Sequence, residues 1–287
     1  SGGPRHSRAI CALADFGDLC RTNVVCEPAI AAAYAAMGLA DPVAGIGRLV
    51  AGYHAAWPLE EAELEVLHAL VCMRLCVSVT NSAFQKTVEP GNSYLAISEQ
   101  RAWDLLEELS AVHPRRALYA WRAACGLPAH PDSPRVVAWL RGNRERIAPL
   151  VEPDLATAQL IYADWSVGSP ELGSPAERAD LPAWTARLFA RQREAGASAA
   201  IGGYDEARPV YAGAAFRHRG NDRDEWRTVH LGLDVFMRAG TVVRAPFDGV
   251  VHSFANNAAP FDYGPCIVLA HRVEDEQGAL HFQTLYG

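Results

Sequence analysis

The spacing of the apolar residues changes along this chain of 287 residues. In residues 1–150 they recur at the spacing that places them on one face of a helix. The clearest series is Leu64, Leu67, Val71, Leu75 and Val79. From about residue 210 they alternate with polar residues, as in TVVRAPFDGVVHSF, which is the pattern of a strand. Because the two patterns occupy different parts of the chain, we predict a multidomain α+β protein.

Start and stop signals divide the first part into helices. Pro28 suits the first turn of a helix over 27–37, and Asp41 is a candidate N-cap for the next helix. The longest helix is predicted over 59–86. The remaining boundary signals are Ser98, Gly126 and Ser133. Only residues 8–14 have the pattern of a strand in this part, which is therefore predicted to be mainly α-helical.

The middle of the chain differs in composition from both ends. Its segment VGSPELGSPAERADLP is rich in Gly, Ser and Pro, which is typical of a linker. A short helix is predicted over about 182–195. We therefore expect a helical domain over 1–150, a linker over 151–209 and a β-rich domain over 210–287.

Charge and cysteine content limit the function classes. A net charge of −7 argues against a nucleic-acid partner, and no apolar run is long enough to cross a membrane without a charge. The seven cysteines form no Cys-x-x-Cys pair and lie mostly in apolar helical patterns, so we expect reduced thiols and a cytoplasmic location. Lys86 is the only lysine, which leaves no other residue for a phosphate-loop or Schiff-base lysine.

The segment ALADFGDLC, residues 12–20, is a candidate metal-binding turn. An apolar strand leads into Asp15, and a helix follows. Phosphoryl transfer uses a carboxylate at a rigid strand end to hold Mg²⁺ against the nucleotide phosphates, and Asp15 could be that ligand. Asp18 has two interpretations: a turn or cap residue after Gly17, or a second contact to metal or substrate. Arg21 is likewise either a solvated arginine or a phosphate contact.

A resemblance strengthens this interpretation. ADFGDLCRTNVVCEPAIAAAYA is similar to the segment that ends the active site in the aminoglycoside phosphotransferase and choline kinase family, in the branch that includes hydroxylysine kinase. The similarity covers about residues 8–125 and implies the C-terminal lobe of a kinase that uses ATP and Mg²⁺, with Asp15 as the metal ligand. In that family the nucleotide-binding lobe and a His-Gly-Asp catalytic loop lie upstream, and neither is in this sequence. We therefore expect the 287 residues alone to be inactive.

A second candidate site lies in the β-rich part. His230 and Asp234 are four residues apart, so an extended strand would place both on one face. A catalytic zinc site needs three protein ligands and an open position for water, and this pair could supply two of them. The spacing alone also fits a surface pair.

The surrounding residues resemble a known family. HLGLDVFMRAGTVVRAPFDGVV closely resembles the core of lysostaphin-type zinc metallopeptidases, and the resemblance spans about residues 228–287. It implies a β-rich fold in which His230 and Asp234 bind zinc. In that family the base histidine and the third ligand, in a His-x-His motif, follow LYG, where this sequence ends. His281 is therefore expected to be a strand residue, His271 to make a structural hydrogen bond, and His252 to lie on the surface.

Together, the two resemblances match a bacterial multidomain family. In it, a phosphotransferase domain and a peptidase-like domain are joined to a class III aminotransferase-type domain that binds pyridoxal phosphate (PLP). By this resemblance the chain is an internal fragment of an enzyme acting on a small amino alcohol, assembling as a homo-oligomer through the PLP domain outside this sequence. Two alternatives stay open: a cell-wall zinc endopeptidase, and a non-catalytic spacer or binding module.

Overall fold

A computed structural model describes residue 17 and residues 20–89, 99–259 and 262–287. The chain divides into two compact units between Gly126 and Leu127. The described residues combine helices with several small sheets, which is compatible with the predicted α+β class. The expected strand over 8–14 and the expected cap Ser98 lie outside the described residues.

The first unit is helical in its described part. Its helices are α1 (Cys26–Ala35), α2 (Pro42–Ala56), α3 (Glu61–Val88), α4 (Glu99–Ala111) and α5 (Pro114–Ala124). Asp41 caps α2 as predicted, because its Oδ1 atom accepts a hydrogen bond from the amide of Ala44 at 2.9 Å. At the start of α3, Glu60 and Glu63 form a capping box, which stabilises the N-terminus of the longest helix.

The predicted apolar series of α3 forms the centre of this unit. All five of its members are buried, and α3 packs against α1, α4 and α5. Trp121 of α5 is fully buried, and its indole Nε1 atom donates a hydrogen bond to the carbonyl of Val43 at 3.0 Å. Gly47 allows a close approach here, since a Cβ atom there would lie 3.3 Å from the indole Cδ1 atom, which is a tight contact. The indole therefore joins α5 to α2 through both apolar and polar contacts.

The second unit contains three α-helices, three short 3₁₀ helices and ten strands among its described residues. The α-helices are α6 (Ser133–Gly142), α7 (Pro175–Ala179) and α8 (Leu181–Glu194). The strands are β1 (Leu160–Ala163), β2 (Ala199–Gly202), β3 (Glu206–Ala207), β4 (Arg217–Arg219), β5 (Asp224–Trp226), β6 (Val229–His230), β7 (Asp234–Phe236), β8 (Val250–Asn257), β9 (Gly264–Asp275) and β10 (Gly278–Tyr286). Helix α6, expected with the first part of the chain, belongs to this unit.

These strands form four small sheets. One has the order β1-β2-β7, with β1 parallel to β2 and β2 antiparallel to β7. Another is the antiparallel sheet β10-β9-β8, in which a tight turn at Glu276 and Gln277 joins β9 to β10. The two remaining sheets are the pairs β3-β6 and β4-β5. The segment 241–245, whose sequence alternates like that of a strand, does not form a strand.

The segment 151–209, expected to be a linker with one short helix, is structured. It carries β1, α7, α8, β2 and β3. Ala163 and Ala200 of the sheet are fully buried and form a cluster with Leu188 of α8. Helix α8 thus covers a sheet of small residues. In VGSPELGSPAERADLP the Gly and Ser residues lie in short turns and caps, and the prolines lie in the first turns of helical segments. The composition of VGSPELGSPAERADLP reflects these turns and does not indicate an open linker.

Helix α6 packs on the sheet of β8, β9 and β10. The ring of Trp139 lies 5.5 Å from that of Phe247 and 6.1 Å from that of Phe282, measured between centroids. Arg135 donates two hydrogen bonds to Asp275, at 3.0 Å and 2.7 Å. The Arg135 hydrogen bonds lower the pKa of Asp275, and the same bonds raise the pKa of Arg135.

Acid should weaken this attachment of α6. Because the pKa of Asp275 is lowered in the folded state, its contribution to stability is present above the unfolded value of about 3.9 and is lost as the pH falls through the lower folded value. We expect wild type to be more stable than Asp275→Asn at pH 6, and the difference to shrink below about pH 4. Thermal unfolding across this pH range measures the difference. A difference that does not depend on pH would contradict the assigned role.

Candidate metal-binding site

The structure brings His230 and Asp234 together, although not on one strand. His230 ends β6 and Asp234 begins β7, and these strands belong to different sheets. The chain bends at Gly232 between them, and the His230 Nε2 atom lies 3.6 Å from the Asp234 Oδ1 atom. The expected proximity is therefore produced by a bend and not by the period of a strand. Asp15 and Asp18 lie outside the described residues.

Gly232 keeps the space beside His230 clear. A Cβ atom at this position would lie 2.9 Å from the His230 Nε2 atom and 3.1 Å from its Cε1 atom. Real Cβ atoms essentially never approach other heavy atoms at less than 3.0 Å, so a larger residue would displace the ring. This contact gives a steric reason for the glycine in the His-x-Gly-x-Asp pattern.

The imidazole of His230 presents Nε2 to Asp234. Its other nitrogen, Nδ1, lies 3.4 Å from the carbonyl oxygen of Gly203. A carbonyl can only accept, so this contact favours the proton on Nδ1 and leaves a lone pair on Nε2. Metal-bound histidines are commonly held in this way, with the second nitrogen donating to a carbonyl.

Asp234 is paired with a buried arginine. The Arg208 Nη2 atom lies 2.6 Å from the Asp234 Oδ2 atom, and the Arg208 Nε atom donates to Glu206 at 2.6 Å. The side chains of Arg208 and Glu206 are only 3 % and 4 % exposed, whereas that of Asp234 is 27 % exposed. Burial alone would lower the pKa of Arg208, but the hydrogen bond that Arg208 donates to Glu206 and the charge of Asp234 raise it above its ordinary value. Arg208 is therefore a fixed cation.

Glu206 is itself held by neighbouring groups. Its Oε1 atom accepts hydrogen bonds from the amide of Trp165 at 3.0 Å and from the hydroxyl of Tyr162 at 3.3 Å. The guanidinium of Arg208 lies over the ring of Trp165, 5.4 Å from its centroid. Both oxygens of Glu206 thus have partners, which is how a buried carboxylate avoids a large desolvation penalty.

The donor atoms suit a zinc ion in type and spacing. Zinc binds histidine nitrogen at about 2.0–2.1 Å and carboxylate oxygen at about 2.0–2.2 Å, so one ion could bind two donors that lie 3.6 Å apart. The described residues contain no group of three His, Cys, Asp or Glu side chains that could hold a metal ion. Within this part of the chain, His230 and Asp234 therefore supply two ligands.

Three other histidines of the β-rich part, His271, His281 and His252, have the surroundings expected for them. His271 is buried, with Nδ1 2.9 Å from the carbonyl oxygen of Asp248 and Nε2 2.8 Å from the hydroxyl of Thr284. The prediction of a structural hydrogen bond at His271 is confirmed. His281 lies exposed in β10 and His252 lies exposed in β8, as expected for strand and surface residues.

Sequence analysis missed Glu206 and Arg208. They are two residues apart and opposite in charge, which in extended backbone places them on one face. That pattern was the only local signal. Their importance depends on Asp234, which is 26 positions from Arg208. The residues come together where β3 pairs with β6 and β2 pairs with β7.

Similarity to a known protein covers a third of the chain. A hydroxylysine kinase from Mus musculus is 32 % identical over 96 residues, which are 33 % of this chain and 26 % of that protein. The chain thus spans about a quarter of the length of this curated relative. No family model and no solved structure matches. The similarity supports a kinase-like relationship, and no comparison supports the peptidase-like or aminotransferase-type resemblances.

Among the described residues, no helix is both long enough and apolar enough to span a membrane.

Proposed function

We propose that this protein is an ATP-dependent phosphotransferase that acts on the hydroxyl group of a small amino alcohol or hydroxylated amino acid. The observation that carries the proposal is the 32 % identity with hydroxylysine kinase over 96 residues. The helical first unit and the segment ALADFGDLC agree with it, since the resembling family places a metal ligand at this turn.

In the proposed reaction, the hydroxyl oxygen of the acceptor attacks the γ-phosphorus of ATP. The bond between that phosphorus and the β–γ bridging oxygen breaks, and ADP leaves. Asp15 would hold Mg²⁺ on the β- and γ-phosphates, where the ion neutralises charge that develops during transfer. The base that accepts the proton belongs to a His-Gly-Asp loop in the resembling family, and the 287 residues contain no such loop.

The test is an ADP-release assay with the complete gene product, ATP and Mg²⁺. The acceptors are 5-hydroxy-L-lysine and ethanolamine, and L-lysine is the matched control because it lacks the hydroxyl group. We expect ADP release that depends on a hydroxylated acceptor. Equal release with L-lysine, or none with any hydroxylated amine, would contradict the proposal.

A second candidate function is favoured by the geometry of His230 and Asp234. We propose a zinc-binding, peptidase-like module in the second unit, either as a cell-wall endopeptidase or as a non-catalytic spacer or binding module. Its support is the 3.6 Å separation of the two donor atoms and the glycine at 232, where a Cβ atom would crowd Nε2. When bound, zinc would polarise a carbonyl and lower the pKa of a bound water.

Cobalt binding tests this module directly, because Co²⁺ gives visible absorption bands that report its ligands. The complete gene product is expected to bind Co²⁺, and His230→Ala and Asp234→Ala are expected to lose the bands. Gly232→Ala should also weaken binding, since the added methyl group displaces the imidazole. His252→Ala is the matched control and should bind like wild type. Bands that survive His230→Ala would contradict the module.

The bacterial multidomain resemblance extends the proposal further. In that arrangement a class III aminotransferase-type domain with PLP would eliminate the phosphate that the kinase adds, in a cytoplasmic homo-oligomer. Its support is the order of the two motifs in this sequence, with ALADFGDLC before HLGLDVFMRAG. Sequencing the gene through both ends of this segment tests the arrangement.

A further inference from the structure

We propose that Glu206 and Arg208 are positioning residues, which hold Asp234 so that its Oδ1 atom and the His230 Nε2 atom face one cation. The inference rests on the zinc-binding module proposed above. It adds two residues that the His-x-Gly-x-Asp pattern does not contain.

Arg208 has a fixed position. Its guanidinium donates to Glu206 at 2.6 Å, lies over the ring of Trp165, and approaches the hydroxyl of Tyr211 to 3.5 Å. Because the side chain is almost fully buried, few other conformations are open to it. A fixed arginine can fix the carboxylate that it contacts.

Arg208 occupies one oxygen of Asp234 and leaves the other for a cation. The ion pair uses Oδ2, which is buried, whereas Oδ1 is the atom that lies 3.6 Å from His230 Nε2. Binding through one oxygen is therefore set up before any metal arrives. Ligating carboxylates in metal sites are commonly held in this way by an outer partner.

Glu206 also neutralises the charge of Arg208. A lone arginine beside a metal ligand would repel a divalent cation, because like charges interact strongly where water is excluded. Here Glu206 lies 2.6 Å from Arg208 and cancels its charge. The pair can orient Asp234 without adding net positive charge to the site.

Gly202 of β2 leaves space for the ion pair of Arg208 and Asp234. A Cβ atom at Gly202 would lie 2.8 Å from the Asp234 Oδ2 atom and 3.1 Å from the Arg208 Nη2 atom. Only a glycine at this position lets the two side chains meet against the strand. Asp234 is placed beside Gly202 by the pairing of β2 with β7, and Arg208 directly follows β3, which pairs with β6.

The experiment is a Co²⁺ titration of the complete gene product, followed by the visible bands and by competition with Zn²⁺. Arg208→Gln and Glu206→Gln are expected to raise the dissociation constant about 10- to 100-fold, the usual cost of losing an outer partner of a ligand. Arg208→Lys keeps the charge but loses the two-sided geometry, so it should restore only part of the affinity. The bands should also change in energy, which a purely structural role would not cause.

The matched control is Arg217→Gln. Arg217 also pairs with a carboxylate, that of Asp224, in the same unit, but this pair is exposed and includes neither His230 nor Asp234. Its replacement should leave the dissociation constant unchanged. Circular dichroism checks the fold of every variant. If Arg208→Gln does not fold, the double variant Glu206→Gln and Arg208→Gln, which removes both buried charges, takes its place with the same expected loss.

The outcomes separate the two proposals. If wild type binds Co²⁺ and His230→Ala does not, but Arg208→Gln binds as tightly as wild type or more tightly, the positioning role is wrong and the zinc-binding module stands. If wild type does not bind Co²⁺, the module is wrong and the positioning role falls with it.

Discussion

Replacing Trp121 with alanine is expected to destabilise the helical unit by about 3–5 kcal/mol, the usual cost of truncating a buried tryptophan. The indole is fully buried and packs so closely on Gly47 that a Cβ atom added there would lie 3.3 Å from it. Its ring centroid lies 6.2 Å from that of His68. Its loss leaves a cavity and also removes the hydrogen bond to Val43. Hydrogen exchange measures the effect: the slowest amides of α2 and α5 should exchange about 10²-fold faster or more.

Trp103→Ala is the control for this effect. Trp103 lies in the same unit but is 43 % exposed, so its truncation should change exchange much less. Hydrogen exchange reports the stability of the helical unit and of the second unit separately, whereas an overall unfolding signal combines the two. Equal effects of the two substitutions would show that the buried indole is not the centre of this core.

Replacing Asp15 with asparagine should reduce phosphoryl transfer by about 10²- to 10³-fold, the scale of losing one electrostatic stabiliser of a transition state. In the proposed function Asp15 holds Mg²⁺ on the nucleotide, and an amide is a much weaker ligand for this cation. The measurement is the turnover of 5-hydroxy-L-lysine by the complete gene product. Higher Mg²⁺ concentrations should recover part of the loss.

Substitutions of two other aspartates provide a control and a second test. Asp104 is exposed in α4 and bonds to Gln100, so Asp104→Asn should leave turnover unchanged. Asp18→Asn decides between the two interpretations of Asp18: a small loss fits a turn residue, and a loss close to that of Asp15→Asn fits a second metal contact. Full turnover by Asp15→Asn would contradict the assignment of Asp15 as a metal ligand.

The helices of the first unit could be predicted because their signals are local. The side chain of Asp41 caps the helix that follows it directly, and the spacing of the α3 series depends only on the period of that helix. Such signals are read from neighbouring residues, so no knowledge of the tertiary fold was needed. The predicted and observed bounds of α3 differ by two residues at each end.

The sheet of β1, β2 and β7 could not be predicted in the same way. Its strands have only three or four residues, and Ala199 to Gly202 has no alternating pattern. These residues form a strand because β1 and β7 flank them and α8 covers them, which are contacts between distant parts of the chain. A Gly- and Ala-rich strand therefore looked like a linker.

The same distinction applies to the candidate site. His230 and Asp234 were found from their spacing, but their expected place on one strand was wrong because the chain bends at Gly232. Arg208 has no local relation to Asp234, so the sequence offered no means to connect them. The contact at 2.6 Å forms where β3 pairs with β6 and β2 pairs with β7.

The most direct test of the central claim is to follow the γ-phosphate of ATP by ³¹P nuclear magnetic resonance, with the complete gene product, Mg²⁺ and 5-hydroxy-L-lysine. We expect the ATP signals to decline while those of ADP and a phosphate monoester rise together, and Asp15→Asn to form the monoester far more slowly. Release of the phosphate only as inorganic phosphate, or no consumption of ATP with any hydroxylated amine, would contradict a phosphotransferase of this class.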